Sequence, residues 1–381
     1  GELKGSLKTS HSIENFTVRL TGSGLSSGPY DLANTSDKQT NSSKFMASGG
    51  VGLTYNDGEN YIGFSLDKLE AVYGIPGPEG EENMTSLNPT KNTFNFQSSF
   101  SLNNTYFKKF NLQGAVSEYN HSERTGSGNN HNINFFSDLY EIKTSLNHNS
   151  VIDVNSEGLI GFHFQNYDQG ALGQEESHLV HTRTSSFALF ALESFNFDLF
   201  DLDVGGRIES VNLKNTSMEK GFFPGAFSST IKREIFTNNT VFGGFDFTER
   251  APNAVELFAN GPHHALEQFE VGETNMDVET SYNFSLGYSY NDGLDTLKIE
   301  TYYNYIDDFI AADRDGTTTE VEGEDMNNVN FSQYNALFTG LEVTGQYAFA
   351  KIDDFDIISS VMIDFLKGYR TSNDTALSRI P

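Results

Sequence analysis

The residues of this chain best suited to chemistry fall in a few short stretches. Glu175-Glu176-Ser177-His178 sets two carboxylates beside an imidazole, with His181 close behind, and His121 and His131 flank another polar loop. Zinc and similar ions accept imidazole nitrogen and carboxylate oxygen in tetrahedral sites, so the first group has a ligand-like mix; a solvated polar loop reads the same way. His263 and His264 follow Gly261-Pro262. Neighbours on an extended strand point to opposite sides, so both imidazoles reach one ion only if Pro262-His263 sits in a turn. The chain has no Cys, which removes thiolate ligands and disulfides and leaves His, Asp, Glu and backbone oxygen for any metal. No nucleophile with an attendant base, phosphate loop or glycosidase-like carboxylate pair stands out, so the chain does not read as an enzyme.

Composition narrows the partners. With 52 acidic against 24 basic residues, the 381-residue chain carries a formal charge of -28, and nucleic acid, which demands a basic footprint, is excluded. An acidic surface attracts cations, although solubility or a salt-adapted proteome produces the same excess. Mean hydropathy is -0.44 despite 33 Phe and 17 Tyr. No window approaches the roughly 18 apolar residues of a transmembrane helix. Membrane strands, which hide their apolar face in alternation, remain compatible with these values.

The elements that must position these side chains read as strands. Tyr282, Phe284, Leu286, Tyr288 and Tyr290 alternate without error with Ser281, Asn283, Ser285, Gly287 and Ser289, and Asn291-Asp292-Gly293 turns the chain. Phe200, Leu202, Val204 and Ile208 likewise oppose Asp201, Asp203, Arg207 and Glu209. His163, between Phe162 and Phe164, belongs to the polar face. Tight turns such as Asn56-Asp57-Gly58 alternate with long loops at Ala33–Lys44, Tyr73–Pro89, Asn120–Asn132, Asp168–Leu179 and the acidic Ala311–Asn328. The expectation is about 15 strands without helices, the first running from Leu3 to Tyr30, in an all-β antiparallel up-and-down sheet. Short turns at one end and long loops at the other suit a transmembrane β-barrel, and aromatics at strand ends suit its interfacial girdles. A soluble sandwich, solenoid or propeller is the competing architecture.

Several phrases resemble the TonB-dependent outer-membrane receptor family. These are Glu249-Arg250-Ala251-Pro252, Glu256-Leu257-Phe258, Gly261-Pro262-His263 and the run from Phe269-Glu270-Val271-Gly272 to Glu279-Thr280-Ser281. Tyr303-Asn304-Tyr305, Asp308-Phe309-Ile310, Gly340-Leu341-Glu342, Tyr73-Gly74-Ile75-Pro76-Gly77 and Arg379-Ile380-Pro381 add to the series, in the family's order and over nearly the whole chain. The resemblance implies a barrel of about 22 strands filled by an N-terminal plug. Residues 1–381 then form one barrel domain, a fragment incomplete at both ends, without plug or TonB box and with a signal peptide absent or removed.

The same resemblance implies an active transporter in the outer membrane of a Gram-negative bacterium, energised by TonB–ExbB–ExbD through the plug, surrounded by outer-membrane lipid and requiring no cofactor. The Gly-x-His form of the signature with the Tyr-Gly-Ile-Pro-Gly loop is closest to the zinc-receptor branch, although Pro78 stands where that branch tends to have His. Carried over by position, His263 is the leading metal ligand and His264 the second, with Glu175, Glu176 and His178 as further candidates. The cargo expected is a scarce nutrient, a metal ion such as zinc. The alternatives are a siderophore or other organic-ligand receptor and a non-transporting surface β-protein. Glu249, Arg250, Pro252, Glu256 and Gly261 are expected to serve structure, the charged pair pinning the strand end where Pro252, lacking an N–H, stops the ladder.

Overall fold

A computed structural model describes the chain except residues 34, 78–83, 103, 125–131, 150–155, 174–176, 264, 265, 267, 322, 353–354 and 378–381, and the side chains of residues 132, 351, 352 and 356. The first ten strands are β1 (Glu2–Ile13), β2 (Phe16–Ser27), β3 (Lys44–Asn56), β4 (Tyr61–Gly74), β5 (Ser86–Ser101), β6 (Phe107–Arg124), β7 (Asn132–Asn149), β8 (Ser156–Gly173), β9 (Thr182–Asn196) and β10 (Asp201–Lys214). They are followed by β11 (Glu219–Phe222), β12 (Gly225–Phe236), β13 (Asn239–Arg250), helix α1 (Ala254–Phe258), β14 (Asn260–His263) and β15 (Gln268–Val271). The last four are β16 (Glu279–Asn291), β17 (Thr296–Val321), β18 (Glu324–Ile352) and β19 (Phe355–Arg370).

All belong to one 19-stranded sheet that forms part of a barrel. Consecutive antiparallel pairing runs from β1 to β10 and continues through β12, β13, β16, β17, β18 and β19. β11 adds to the upper end of β10, and β14 and β15 add to β18. The strands expected between Leu3 and Tyr30 are two rather than one, because Glu14 takes a positive φ of 53° and closes a turn with Asn15. The Asn-Asp-Gly turns behave as their sequence dictates. Gly58 and Gly293 adopt φ of 95° and 98°, where a Cβ would be strained. The Asp57 carboxylate accepts the Asn60 backbone and side-chain N–H groups and the Glu59 amide, which holds its pKa down to about 2.

Alternation sorts the wall into two faces. Phe187 and Leu189 on β9, Ile208 on β10, Phe284 and Leu286 on β16 and Tyr303 on β17 are exposed on the outward side. In register, Ile208 stands opposite Leu189 and Phe284 opposite Tyr303. The other face is polar and bonded to itself: Asp203 accepts from Lys232 at 2.7 Å, and Arg207 donates to Glu209 at 2.9 Å and to His163 Nδ1 at 3.3 Å. An apolar surface left exposed around a polar interior is the pattern of a sheet solvated by lipid. Among the described residues no helix is long and apolar enough to cross a membrane.

Several expectations change at the long-loop end, where β6 runs to Arg124 and β8 to Gly173, into segments expected as loops. The acidic segment expected as a loop at Ala311–Asn328 continues β17 and β18 upward as a hairpin, paired from Thr318 with Asn327 to Val321 with Glu324. A helix also exists where none was expected. In α1, Asn253 caps the amides of Val255 and Glu256 while Glu256 reaches back to the Asn253 amide, a reciprocal capping box. Ala254, Leu257 and Phe258 pack with Leu213, Met276 and Ile310 in a buried cluster, so a five-residue helix too short to persist alone is held by tertiary contacts.

Candidate metal centre

The loop from β13 to β16 is built into a small extension of the sheet. β14 and β15 form a hairpin, with Gly261 opposite Glu270 and His263 opposite Gln268. β15 then runs parallel to the upper part of β18, Glu270 facing Val329. On the far side of β14, the His178 amide donates to the Pro262 carbonyl at 3.1 Å and the Asn260 amide donates to the His178 carbonyl at 3.3 Å. This approach requires glycine at 261, because a Cβ there would lie 2.7 Å from the Ser177 carbonyl oxygen.

Three ligand-type side chains meet on this framework. His263 Nδ1 lies 2.8 Å from Glu270 Oε1, and the His178 and His263 rings stack with centroids 4.1 Å apart at 14°. One donor atom from each of His178, His263 and Glu270 falls within 4.8 Å of the others. His178 and Glu270 are buried and His263 is partly exposed. Donors about 2.0–2.1 Å from a tetrahedral zinc ion stand roughly 3.3 Å apart, so side-chain rotations that replace the His263–Glu270 hydrogen bond by the ion would close the set. Two imidazoles and a carboxylate form a recognised zinc ligand set that leaves one coordination position open.

Two further groups stand beside the cluster at the top of β6, outside the membrane-spanning part of the strand. His121 Nε2 is 3.9 Å from Glu123 Oε1, and the His121 ring stacks on Phe135 at 4.6 Å, with Phe135 6.2 Å from the His178 ring. His121 Nδ1 is buried with no hydrogen-bond partner among the described residues. Burial lowers the His121 pKa. Burial raises that of Glu123, against the opposing pull of nearby His263.

Of the candidates read from the sequence, the fold brings His178 and His263 together across the loops. Glu175, Glu176, His264 and His131 lie outside the described residues. His181 is placed elsewhere, bonded to Asp168 at 2.8 Å beside Arg183, and His163 sits lower on the inner wall against Glu141 at 2.8 Å. Glu270 and Glu123 were not anticipated as site residues. The signal for Glu123 was His121-Ser122-Glu123, which on a strand puts both side chains on one face; Glu270 had none beyond its place in the family phrase.

The signature residues frame the site. Glu249 Oε2 accepts from the Gly225 amide at 2.7 Å, Pro252 is fully buried, and Arg250 binds Glu256 and Glu279. The resulting class is a membrane-spanning antiparallel β-barrel whose long-loop end carries an imidazole–carboxylate cluster.

The comparisons name the family. The family model described as "TonB dependent receptor-like, beta-barrel" matches residues 13–381, and the chain belongs to that family, whose members are receptors for transport and not enzymes. It superimposes on the copper transporter OprC with a TM-score of 0.80 at 14% identity, over 100% of this chain and 61% of that one. The FrpB iron transporter from Neisseria meningitidis gives 0.75 at 12% identity, over 99% and 61%. A double mutant of the Serratia marcescens hemophore receptor HasR, in complex with HasA and heme, gives 0.71 at 13% identity, over 95% and 63%. At these identities the likeness is one of fold, and the chain spans about three-fifths of the length of each structure.

Proposed function

We propose that this chain is the barrel portion of a TonB-energised outer-membrane receptor that captures a divalent transition-metal ion, zinc foremost, at its long-loop end. The carrying observation is the convergence of His178, His263 and Glu270 from separate segments onto one volume. The neighbouring Glu123 supplies a further carboxylate, and the surplus of acidic residues over the chain favours cation approach. In this reading a plug domain elsewhere in the receptor closes the lumen and passes the signal from TonB–ExbB–ExbD, and the ion leaves toward the periplasm when the plug rearranges.

Imidazole and carboxylate also bind copper, and more tightly than zinc in most such sites, so the donor set selects a class of ion rather than one element. The copper transporter among the similar folds agrees with that class. The test is zinc titration of the full-length receptor with and without His178→Ala plus His263→Ala. A loss of at least about 100-fold in affinity is expected for removing two of the three ligands, since losing an outer partner alone costs about 10–100-fold. Unchanged affinity overturns the reading.

A second reading, an organic-chelate receptor, rests on a cavity of about 560 Å³ beneath α1, lined by Gln165, Tyr167, Gln169, Thr184, Ser186 and Arg250 among others. Hydroxyls and amides in this number suit a polar organic ligand. Binding of a metal chelate that survives the double alanine substitution while free zinc binding is lost would favour it.

A further inference from the structure

Arg250 ends β13, and its register partner is Glu279, the first residue of β16; the loop bearing His263 and Glu270 leaves and returns at this pair. The guanidinium grips both sides of that exit. Nε and Nη2 donate to the two Glu279 oxygens at 3.3 and 3.2 Å, while Nη1 donates to both Glu256 oxygens at 3.2 and 2.9 Å. Only a planar fork can serve two carboxylates in this way.

Glu256 carries the grip onward. Its side chain closes the capping box of α1, and its carbonyl accepts the Glu273 amide at 2.9 Å. One turn further, the Ala259 carbonyl accepts the Gly272 amide at 2.7 Å. Ala259 immediately precedes β14 and Gly272 immediately follows β15, so these bonds set the base of the hairpin that holds His263 and Glu270. On the other side, Glu279 Oε2 accepts the Ile310 amide at 2.8 Å, tying the same cation to β17.

We propose that Arg250 is the positioning residue of the metal centre: its fork fixes α1 against the strand ends and thereby fixes the separation of His263 and Glu270 from His178. This rests on the reading of the cluster as a metal site. A cavity lies under Arg250 and α1, so the helix has room to sink when the fork is lost.

The test uses the full-length receptor with cobalt(II) as probe, whose visible d–d bands report ligand geometry, and amide exchange of residues 254–278 in metal-free protein. Arg250→Gln is expected to weaken cobalt binding about 10-fold, at the low end for outer-shell partners of metal ligands, to alter the d–d bands and to speed exchange in the loop. Arg250→Lys, which keeps the charge without the fork, should recover part of each effect.

Bands and affinity that stay at wild-type values in Arg250→Gln, with only the melting temperature lowered, overturn the proposal. A wild-type receptor that binds no cobalt overturns the metal reading and the positioning role with it, whereas cobalt binding by the wild type with amide exchange in Arg250→Gln equal to wild type refutes the positioning role alone.

Discussion

Gly261→Ala isolates the geometry of the site without touching a ligand. The added Cβ would sit 2.7 Å from the Ser177 oxygen, 2.9 Å from its carbonyl carbon and 3.1 Å from the His178 amide nitrogen. All three are backbone atoms, so no rotamer change relieves the overlap. Ordinary contact begins near 3.4 Å, and the 177–178 segment must therefore retreat by about 0.7 Å from β14. That retreat strains the two backbone hydrogen bonds joining His178 to β14, each worth about 1 kcal/mol net, and adds an overpacking cost of about 1–3 kcal/mol.

Because His178 is carried on the moving segment, part of this energy appears as lost affinity. A weakening of about 10-fold corresponds to about 1.4 kcal/mol. Zinc titration of the full-length receptor is the assay, with Gly221→Ala as control because a Cβ there meets nothing within 4 Å. Zinc affinity equal to wild type in a folded Gly261→Ala receptor refutes the claim that β14 and the His178 segment are held together to make the site.

Two other outcomes follow from the wall. Leu286→Arg, on the outward face near mid-strand, should cost about 2–4 kcal/mol in reversible folding into bilayers, whereas Leu294→Arg in the turn should cost about 1 or less; equal costs would contradict the lipid-facing assignment. Asp57, with its pKa depressed to about 2, contributes turn stability that is present above the unfolded carboxylate value and lost as pH falls through about 2. Protection of the Glu59 and Asn60 amides should therefore persist through pH 3–4 and vanish near 2, and Asp57→Ala should remove it at all pH.

The sheet was legible because each wall strand separates lipid from a wet interior, which forces strict alternation. β16 shows this from Thr280 to Tyr290, and its Asn-Asp-Gly turn marks the end. The upper hairpin of β17 and β18 was not legible for the opposite reason. Thr319 donates to Asn328 and Asn328 donates to Thr317, neither face needs apolar residues, and the segment reads as an acidic loop. The Glu14 turn lacked glycine, and α1 is too short to show a helical period, although Asn253 and Glu256 spelled its capping box.

The site was half legible. His263 came from a motif and His178 from its company, but their meeting depends on β14 adding to the sheet beside residue 178, a register that no local pattern encodes. Glu270 stands in a phrase that marks the family and carries no ligand signal of its own.

Anomalous scattering at the zinc edge, from crystals of the full-length receptor grown with zinc, would locate the ion itself. A peak bonded to His178, His263 and Glu270 is expected, with ligand distances near 2.0–2.2 Å. A receptor that binds zinc with its anomalous peak elsewhere, and with His263 still hydrogen-bonded to Glu270, would contradict it.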